Sequence, residues 1–217
     1  MARTADGRAA VTPAADVPVP HDITGRAVPS AVRTDASPAI DGAESPAEYA
    51  GRARAKRPRN PLAGPYGHPL HAIAITLPIG AWTASIVFDV IAFFVDDASA
   101  FTTGAAVLVA IGLVGAFAAA LLGFLDYGQI PAGTRARMVA TVHMVANLVA
   151  MALFAVSLVI RWFAGFDEIS VFAFVVSLIA MAIVGGSGAL GGELAYHFGV
   201  RVADEDEQAR VFGAKRR

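Results

Sequence analysis

Four histidines draw attention because they lie within or beside long apolar runs, where a polar ring is costly: His68, His71, His143 and His197. Imidazole nitrogens ligate iron, zinc and copper, and two imidazoles on facing helices can hold a haem between them. We interpret His68 as a cap or interfacial residue, and His197 as a cation placed at a helix C-terminus. His71 and His143 remain candidate axial ligands of a b-type haem.

Carboxylate and amide side chains are predicted at the same depth as these histidines. Together they form a mixed nitrogen and oxygen donor set that suits zinc or iron, made up of His68, His71, Asp126, His143 and Glu193. Asn147 follows His143 by one helical turn. Arg135 and Arg137 precede His143, and either could pair with the propionates of a bound haem. Asp89 lies apart, and we expect it to act inside the membrane, to snorkel to the other surface or to cap a packed neighbour.

The composition indicates that membrane helices position these groups. The chain has 217 residues, of which 56% are hydrophobic and only 16% charged. A soluble domain carries about a quarter charged residues. The absence of cysteine excludes disulfides, thiolate metal sites and a cysteine nucleophile in this chain. We find no basic and aromatic patch suited to nucleic acid.

Four apolar stretches divide the chain, at about 70–95, 104–125, 138–160 and 169–194. Each supplies the ~20 residues that a helix needs to cross a bilayer. We therefore predict an all-α integral membrane protein, with a four-helix bundle over residues 61–200. Residues 1–60 are predicted to be a disordered, polar and basic tail, and residues 201–217 a second charged tail.

The distribution of Lys and Arg predicts the orientation. Basic residues are concentrated before the first span, at Arg135 and Arg137 between the second and third, and after the fourth. The loop after the first span holds Asp96 and Asp97 and no basic residue. The loop after the third holds Arg161 and two acidic residues. Since cytoplasmic loops are enriched in basic residues, both termini are expected in the cytoplasm and the protein in the bacterial inner membrane.

Prolines and glycines are expected to shape the bundle. Pro69 suits the first helical position, which would make His68 the N-cap, and Pro78 is expected to kink the first span. The second span has a small-residue face, and the fourth carries Gly188 and Gly192 in a GxxxG pattern. Such faces favour close helix packing, and they can also make room for a flat macrocycle.

Several of these motifs together resemble a bacterial membrane family known as domain of unknown function 2231. They are GHPLH, PIG with VFD, GFLDY, R-x(5)-H-x(3)-N and LGGELAYHFGV, over about 65–202. The resemblance implies a four-helix membrane domain without an established activity, in which His68, His71, Asp89, Asp126, His143 and Asn147 fall on motif positions. Some relatives carry a Rieske-type domain, which implies redox chemistry. Ala72 departs from the usual HPLHP, and Glu193 and His197 lie where relatives vary.

Three functions remain open from the sequence. The first is a haem b protein that passes electrons, with a Rieske-type or other redox partner. The second is a divalent-metal-binding membrane protein. The third is a membrane subunit or scaffold without a cofactor, whose polar residues join helices, either alone or as a homo-oligomer. We predict no stand-alone enzyme, because hydrolase and nucleotide-binding motifs are not found.

Overall fold

A computed structural model describes residues 45–57, 68–203 and 205–212. The predicted disorder of residues 1–44 lies outside this range, as do residues 58–67 and 213–217. The described part is helical and contains no strand. Its elements are α1 Pro46–Lys56, α2 Leu70–Ala74, α3 Thr76–Ala92, α4 Ser99–Tyr127, α5 Arg135–Ala164, α6 Val171–Gly192, a π-helical turn Glu193–His197, and α7 Glu205–Phe212.

Four of these helical segments are long and apolar enough to cross a membrane: Leu70–Ala92, Ser99–Tyr127, Arg135–Ala164 and Val171–His197. They have 23 to 30 residues and mean hydropathies of 1.7 to 2.6. The prediction of four membrane-spanning helices is confirmed. Large apolar side chains such as Val114, Phe117 and Phe172 point outward, which a bilayer permits because lipid is as apolar as they are.

The spans pack as a ring in the order α3, α4, α5, α6, with α2 beside α4. Helices α3 and α5 meet across the centre, where the Trp82 and Phe154 rings stack with centroids 4.0 Å apart. We call the side of the bundle at which α2 and α5 begin the histidine end. The side at which α3 and α5 terminate is called the opposite end. Contacts run in the same order along both diagonal helices, so these helices are parallel.

The first span is broken at Ile75, between α2 and α3. Pro78 lies one turn further on and has no N–H to offer the carbonyl of Ala74, so the helix is interrupted there. Ile75 keeps a helical backbone and bonds to His71 and Ile79, so the interruption is one residue long and the predicted kink stays a prediction. The predicted start is wrong by one residue: Pro69 is the N-cap and Leu70 the first helical residue. The reason is local, because Pro69 has ψ 80°, outside the helical region.

Helix α1 lies inside the segment that was predicted to be disordered, and for residues 46–56 that prediction is wrong. Ser45 and Glu48 form a capping box, which satisfies backbone donors at the start of the helix. Gly51 and Ala55 are buried, and Ala55 packs in a cluster that includes Ile130 and Leu194. The small residues on one face of α1 therefore dock it onto the histidine end.

The C-terminal charged tail also contains a helix, α7. It is joined to α1 by an ion pair between Lys56 Nζ and Glu205 Oε1 at 2.6 Å. The Lys56 ammonium and hydrogen bonds hold the pKa of Glu205 below its usual range. Because Glu205 is exposed, salt and low pH should weaken this ion pair.

Candidate functional site

His71 and His143 meet at the histidine end, as predicted. Their ring centroids are 6.3 Å apart and their planes cross at 87°. The two rings come from α2 and α5, so they approach each other across the bundle. Both residues are half-buried. The sequence prediction that these two rings face each other at one depth agrees with this geometry.

Hydrogen bonds define the tautomer of each ring. Nδ1 of His71 lies 2.8 Å from the carbonyl oxygen of Ala119, and Nδ1 of His143 lies 2.8 Å from that of Ser187. A carbonyl oxygen can only accept, so each Nδ1 carries the hydrogen. In the neutral rings, Nε2 therefore holds a lone pair. This is the arrangement found in metal-ligating histidines, where the other nitrogen donates to a carbonyl.

Asn147 and Ser187 form a small network around His143. The Asn147 side-chain nitrogen lies 2.8 Å from Ser187 Oγ, 2.9 Å from the carbonyl of His143 and 3.2 Å from its Nε2. An amide nitrogen has two hydrogens, which the two shorter contacts can use. Because His143 Nδ1 carries the hydrogen, Nε2 can only accept, and the Asn147 nitrogen lies against its lone pair.

Two glycines make room for the histidine rings. A Cβ built on Gly123 would lie 2.9 Å from the His71 ring, and one on Gly191 would lie 3.2 Å from the His143 ring. Gly112 is likewise covered by Trp82. The predicted packing role of the small-residue face on α4 is confirmed. Gly188 and Gly192 differ, because nothing in the described structure lies within 4 Å of an added Cβ.

The structure does not assemble the five-residue metal set proposed from the sequence. Among the described residues, no group of three or more potential ligands lies together. Asp126 forms an ion pair with Arg201 at 3.4 Å. Glu193 lies 3.0 Å from His197 and 3.8 Å from Arg135. Both predicted carboxylate ligands thus have basic neighbours and do not share a metal position. His68 is exposed.

The two predicted propionate partners have different surroundings. Arg137 caps the end of α4, donating from Nη1 to the carbonyls of Tyr127 at 2.5 Å and Ile130 at 3.0 Å. Its guanidinium also lies 3.5 Å from the centre of the Tyr127 ring. Arg135 is 73% exposed and only loosely paired with Glu193. Of the two arginines, Arg135 therefore has the more exposed side chain, whereas Arg137 is bonded to the end of α4.

Asp89 lies at the opposite end, and of the alternatives left open for it, snorkelling to the surface is wrong. It is fully buried and forms a bidentate ion pair with Arg161, with both nitrogen to oxygen distances at 2.6 Å. Ser157 and Ser177, also buried, lie 3.4 Å from the guanidinium. The ion pair links α3 to α5, and the serines extend the polar contacts to α6.

Arg161 is the residue that the sequence analysis misplaced. It was assigned to the third loop, but it belongs to α5 and only 3% of it is exposed. A signal was present, because a buried carboxylate in a span requires a counter-ion. Arg161 is the basic residue that follows the third apolar run, at the depth of Asp89.

Comparison with known proteins gives one match. The family model described as a predicted membrane protein (DUF2231) matches residues 67–204. No curated protein and no solved structure matches the chain. The matched region contains all four membrane-spanning helices, both histidines and the buried ion pair, whereas α1 lies outside it. The chain therefore belongs to the DUF2231 family of predicted membrane proteins.

Proposed function

We propose that His71 and His143 are the axial ligands of a haem b and that the protein carries electrons in the membrane. The observation that carries the proposal is the spacing of the two rings. A bond of about 2 Å from metal to imidazole nitrogen places each ring centre about 3 Å from the metal, so opposed rings lie about 6 Å apart. The ring centres of His71 and His143 are separated by 6.3 Å.

The donor chemistry fits the same group. Each ring has its lone pair on Nε2, because both Nδ1 hydrogens are donated to carbonyls, and Asn147 would have to turn away from His143 Nε2 for a ligand to bind there. Those hydrogen bonds also orient the rings and raise their basicity as ligands. Arg135 is the residue available to a propionate. Haem would supply a one-electron couple, and this chain would supply ligands, ring orientation and apolar surroundings.

The location and partner follow from the same proposal. The basic residues near the histidine end, Arg52, Arg54, Arg135 and Arg137 among them, support a bacterial inner membrane with this end in the cytoplasm. A Rieske-type or other redox protein would then exchange electrons with the site. The chain has no cysteine for such a cluster of its own, so the partner would be a separate protein.

A second function is favoured by the same hydrogen bonds. The His71 contact joins α2 to α4, and the His143 contacts join α5 to α6. Interhelical hydrogen bonds in membranes contribute about 0.6 to 2 kcal/mol each. Both histidines would then serve only to hold a scaffold together, with nothing bound between them.

Absorption spectra of the purified protein distinguish the two functions. After haem-replete expression, we expect a Soret band and a reduced α-band in the wild type. The double variant His71→Ala with His143→Ala should lose both bands. His68→Ala and His197→Ala are matched controls, since they remove exposed histidines from the same end, and they should keep the bands.

A wild-type protein without a Soret band would overturn the haem proposal. Bands that persist in the double variant would also overturn it, because haem would then be bound elsewhere. In the first case, reduced stability of the double variant relative to His68→Ala would support the scaffold function.

A further inference from the structure

A cleft of about 410 Å³ lies beside the last turn of the fourth span, at the histidine end. Helix α1 contributes one wall, the π-helical turn with the residues after it contributes the second, and α7 contributes the third. The lining includes Arg52, Lys56, Phe198, Val202, Glu205 and Gln208. Cationic and apolar groups thus meet in one cleft where a span ends.

The Lys56 ammonium is held in this cleft by its surroundings. Its side chain is only 11% exposed. Gly199 leaves room for it, since a Cβ at Gly199 would lie 3.2 Å from Lys56 Cε. The backbone N–H of Arg201 donates to the carbonyl of Ala55 at 3.1 Å, which ties α1 to the segment that contains Gly199. A cation positioned in this way loses little freedom when it binds an anion.

An anionic oxygen group already contacts the cations of the cleft, and it is the Glu205 carboxylate. Lys56 Nζ lies 2.6 Å from Oε1 of Glu205, and Arg52 Nη1 lies 4.0 Å from Oε2. The Glu205 side chain is 73% exposed. Exposed ion pairs contribute little to stability, because water and salt screen them. The cleft therefore accepts an anion, and the anion that it holds can be exchanged.

The surroundings of the cleft favour the phosphate of a lipid headgroup as the exchanging anion. The fourth span ends at His197, beside the cleft. Tyr196 is 93% exposed, and exposed aromatic residues at the ends of spans are typical of a membrane interface. Phe198 and Val202 give the cleft an apolar wall. A lipid at this level presents both a phosphate for the cations and apolar surface for the wall.

The two helices beside the cleft differ in charge. Helix α1 contains Arg52, Arg54 and Lys56 against one acidic residue, Glu48. Helix α7 begins with the sequence Glu-Asp-Glu. An anionic membrane surface attracts basic segments and repels acidic ones. Such a surface would therefore draw α1 towards it and push the start of α7 away.

We propose that the cleft between α1 and α7 binds the phosphate group of an anionic lipid, and that Glu205 is the built-in carboxylate which this phosphate displaces. Lys56 is the main cation of the site, and Arg52 is the second. In the exchange, the ion pair from Lys56 to Glu205 breaks, and Lys56 donates a charge-assisted hydrogen bond to a phosphate oxygen. Helix α7 is then released from α1. The site lies outside the histidine pair, so it does not depend on the proposed haem.

Native mass spectrometry of the full chain in neutral-detergent micelles counts bound phosphatidylglycerol. The wild type should bind this lipid in preference to phosphatidylcholine, which has the same phosphate group and no net charge. Lys56→Gln should weaken phosphatidylglycerol binding about fivefold, the effect of one basic residue near an anionic surface. Arg54→Gln is the matched control, because Arg54 is exposed on the same helix and lies outside the cleft lining. Equal binding of the two lipids, or equal losses in the two variants, would overturn the proposal.

Glu205→Gln tests the displacement, and it guards against variants that fold poorly, because misfolding would not strengthen binding. Removing the internal carboxylate should strengthen phosphatidylglycerol binding about fivefold. Glu48→Gln is the matched control, since it removes one negative charge from α1 and glutamine also completes a capping box. No gain in Glu205→Gln, or an equal gain in Glu48→Gln, would show that Glu205 does not compete for the site, and the proposal would be wrong.

Inorganic phosphate identifies the source of the phosphate group. Added at the same concentration as phosphatidylglycerol, it should leave the bound lipid in place. Displacement of the lipid at equal concentration would show that the cleft takes soluble phosphate, and it would overturn the assignment to a lipid.

Discussion

The histidine end and the opposite end use the same diagonal of the bundle, but their polar pairs differ in charge and burial. At one end, two like rings are half-buried and bonded to carbonyls of neighbouring helices. At the other, Asp89 and Arg161 carry opposite charges, are almost fully buried and bond directly to each other. The two ends of one diagonal thus have different chemistry.

This difference concerns how far each pair satisfies its own polar atoms. The carboxylate and guanidinium satisfy each other, and the pair leaves no charge to attract a third group. The two imidazoles cannot satisfy each other in this way, because each presents a lone pair after donating its hydrogen. Asn147 contacts Nε2 of His143, whereas at the opposite end the ion pair is complete in itself.

The largest effect is expected from breaking the ion pair. Asp89→Asn leaves the Arg161 guanidinium buried without its counter-charge, which should cost about 3 to 5 kcal/mol of unfolding free energy. Unfolding in mixed micelles with rising denaturing detergent measures this cost. Asp96→Asn at an exposed position is the matched control and should change stability little.

A double variant sharpens the same comparison. Asp89→Leu with Arg161→Met removes both charges and should recover most of the lost stability, since no unpaired charge remains. If Asp89→Asn proved as stable as Asp96→Asn, the ion pair would not stabilise the opposite end.

An intermediate effect is expected at the histidine end from Gly123→Ala. The added methyl group would lie 2.9 Å from the His71 ring, and the resulting overpacking should cost about 1 to 3 kcal/mol. Gly188→Ala is the control, because nothing described lies within 4 Å of its added Cβ. It should be neutral or stabilising by up to about 1 kcal/mol. Equal unfolding free energies for the two variants would show that His71 moves freely away from Gly123.

The smallest effect concerns the tie between α1 and α7, outside the spans. Because Lys56 lowers the pKa of Glu205, the contact should be complete above the ordinary pKa of a glutamate. It should be lost as pH falls through the lowered value, when Glu205 takes up a proton. Spin labels at Ala47→Cys and Ala209→Cys would report the separation, since the chain has no other cysteine. With Glu205→Gln the separation should no longer depend on pH, and a persistent dependence would implicate another group.

The four spans and the shared depth of His71 and His143 follow from sequence patterns. Four long apolar runs require four helices, because an unsatisfied backbone group in lipid costs several kcal/mol. The depth of His71 and His143 in their helices also predicts that their rings lie at one level. The break near Pro78 follows from the missing N–H of proline. These are local consequences of composition and spacing.

Helix α1 was missed although its signals are local. The Ser45 to Glu48 capping box and Pro46 predict a helix start, but the segment is polar and has little to bury. Only its docking shows why it forms, because the small residues Gly51 and Ala55 allow it to approach the bundle closely.

The sequence by itself determined that this is a four-helix membrane protein with polar residues in its spans, since length and hydropathy act along each helix separately. The tertiary structure decided which polar residues meet. It pairs Asp89 with Arg161, assigns Arg137 to the end of α4, and gives Asp126 to Arg201. These pairings depend on how each helix is rotated about its axis. That rotation is set by packing such as Trp82 on Phe154, and the apolar character of a span does not encode it.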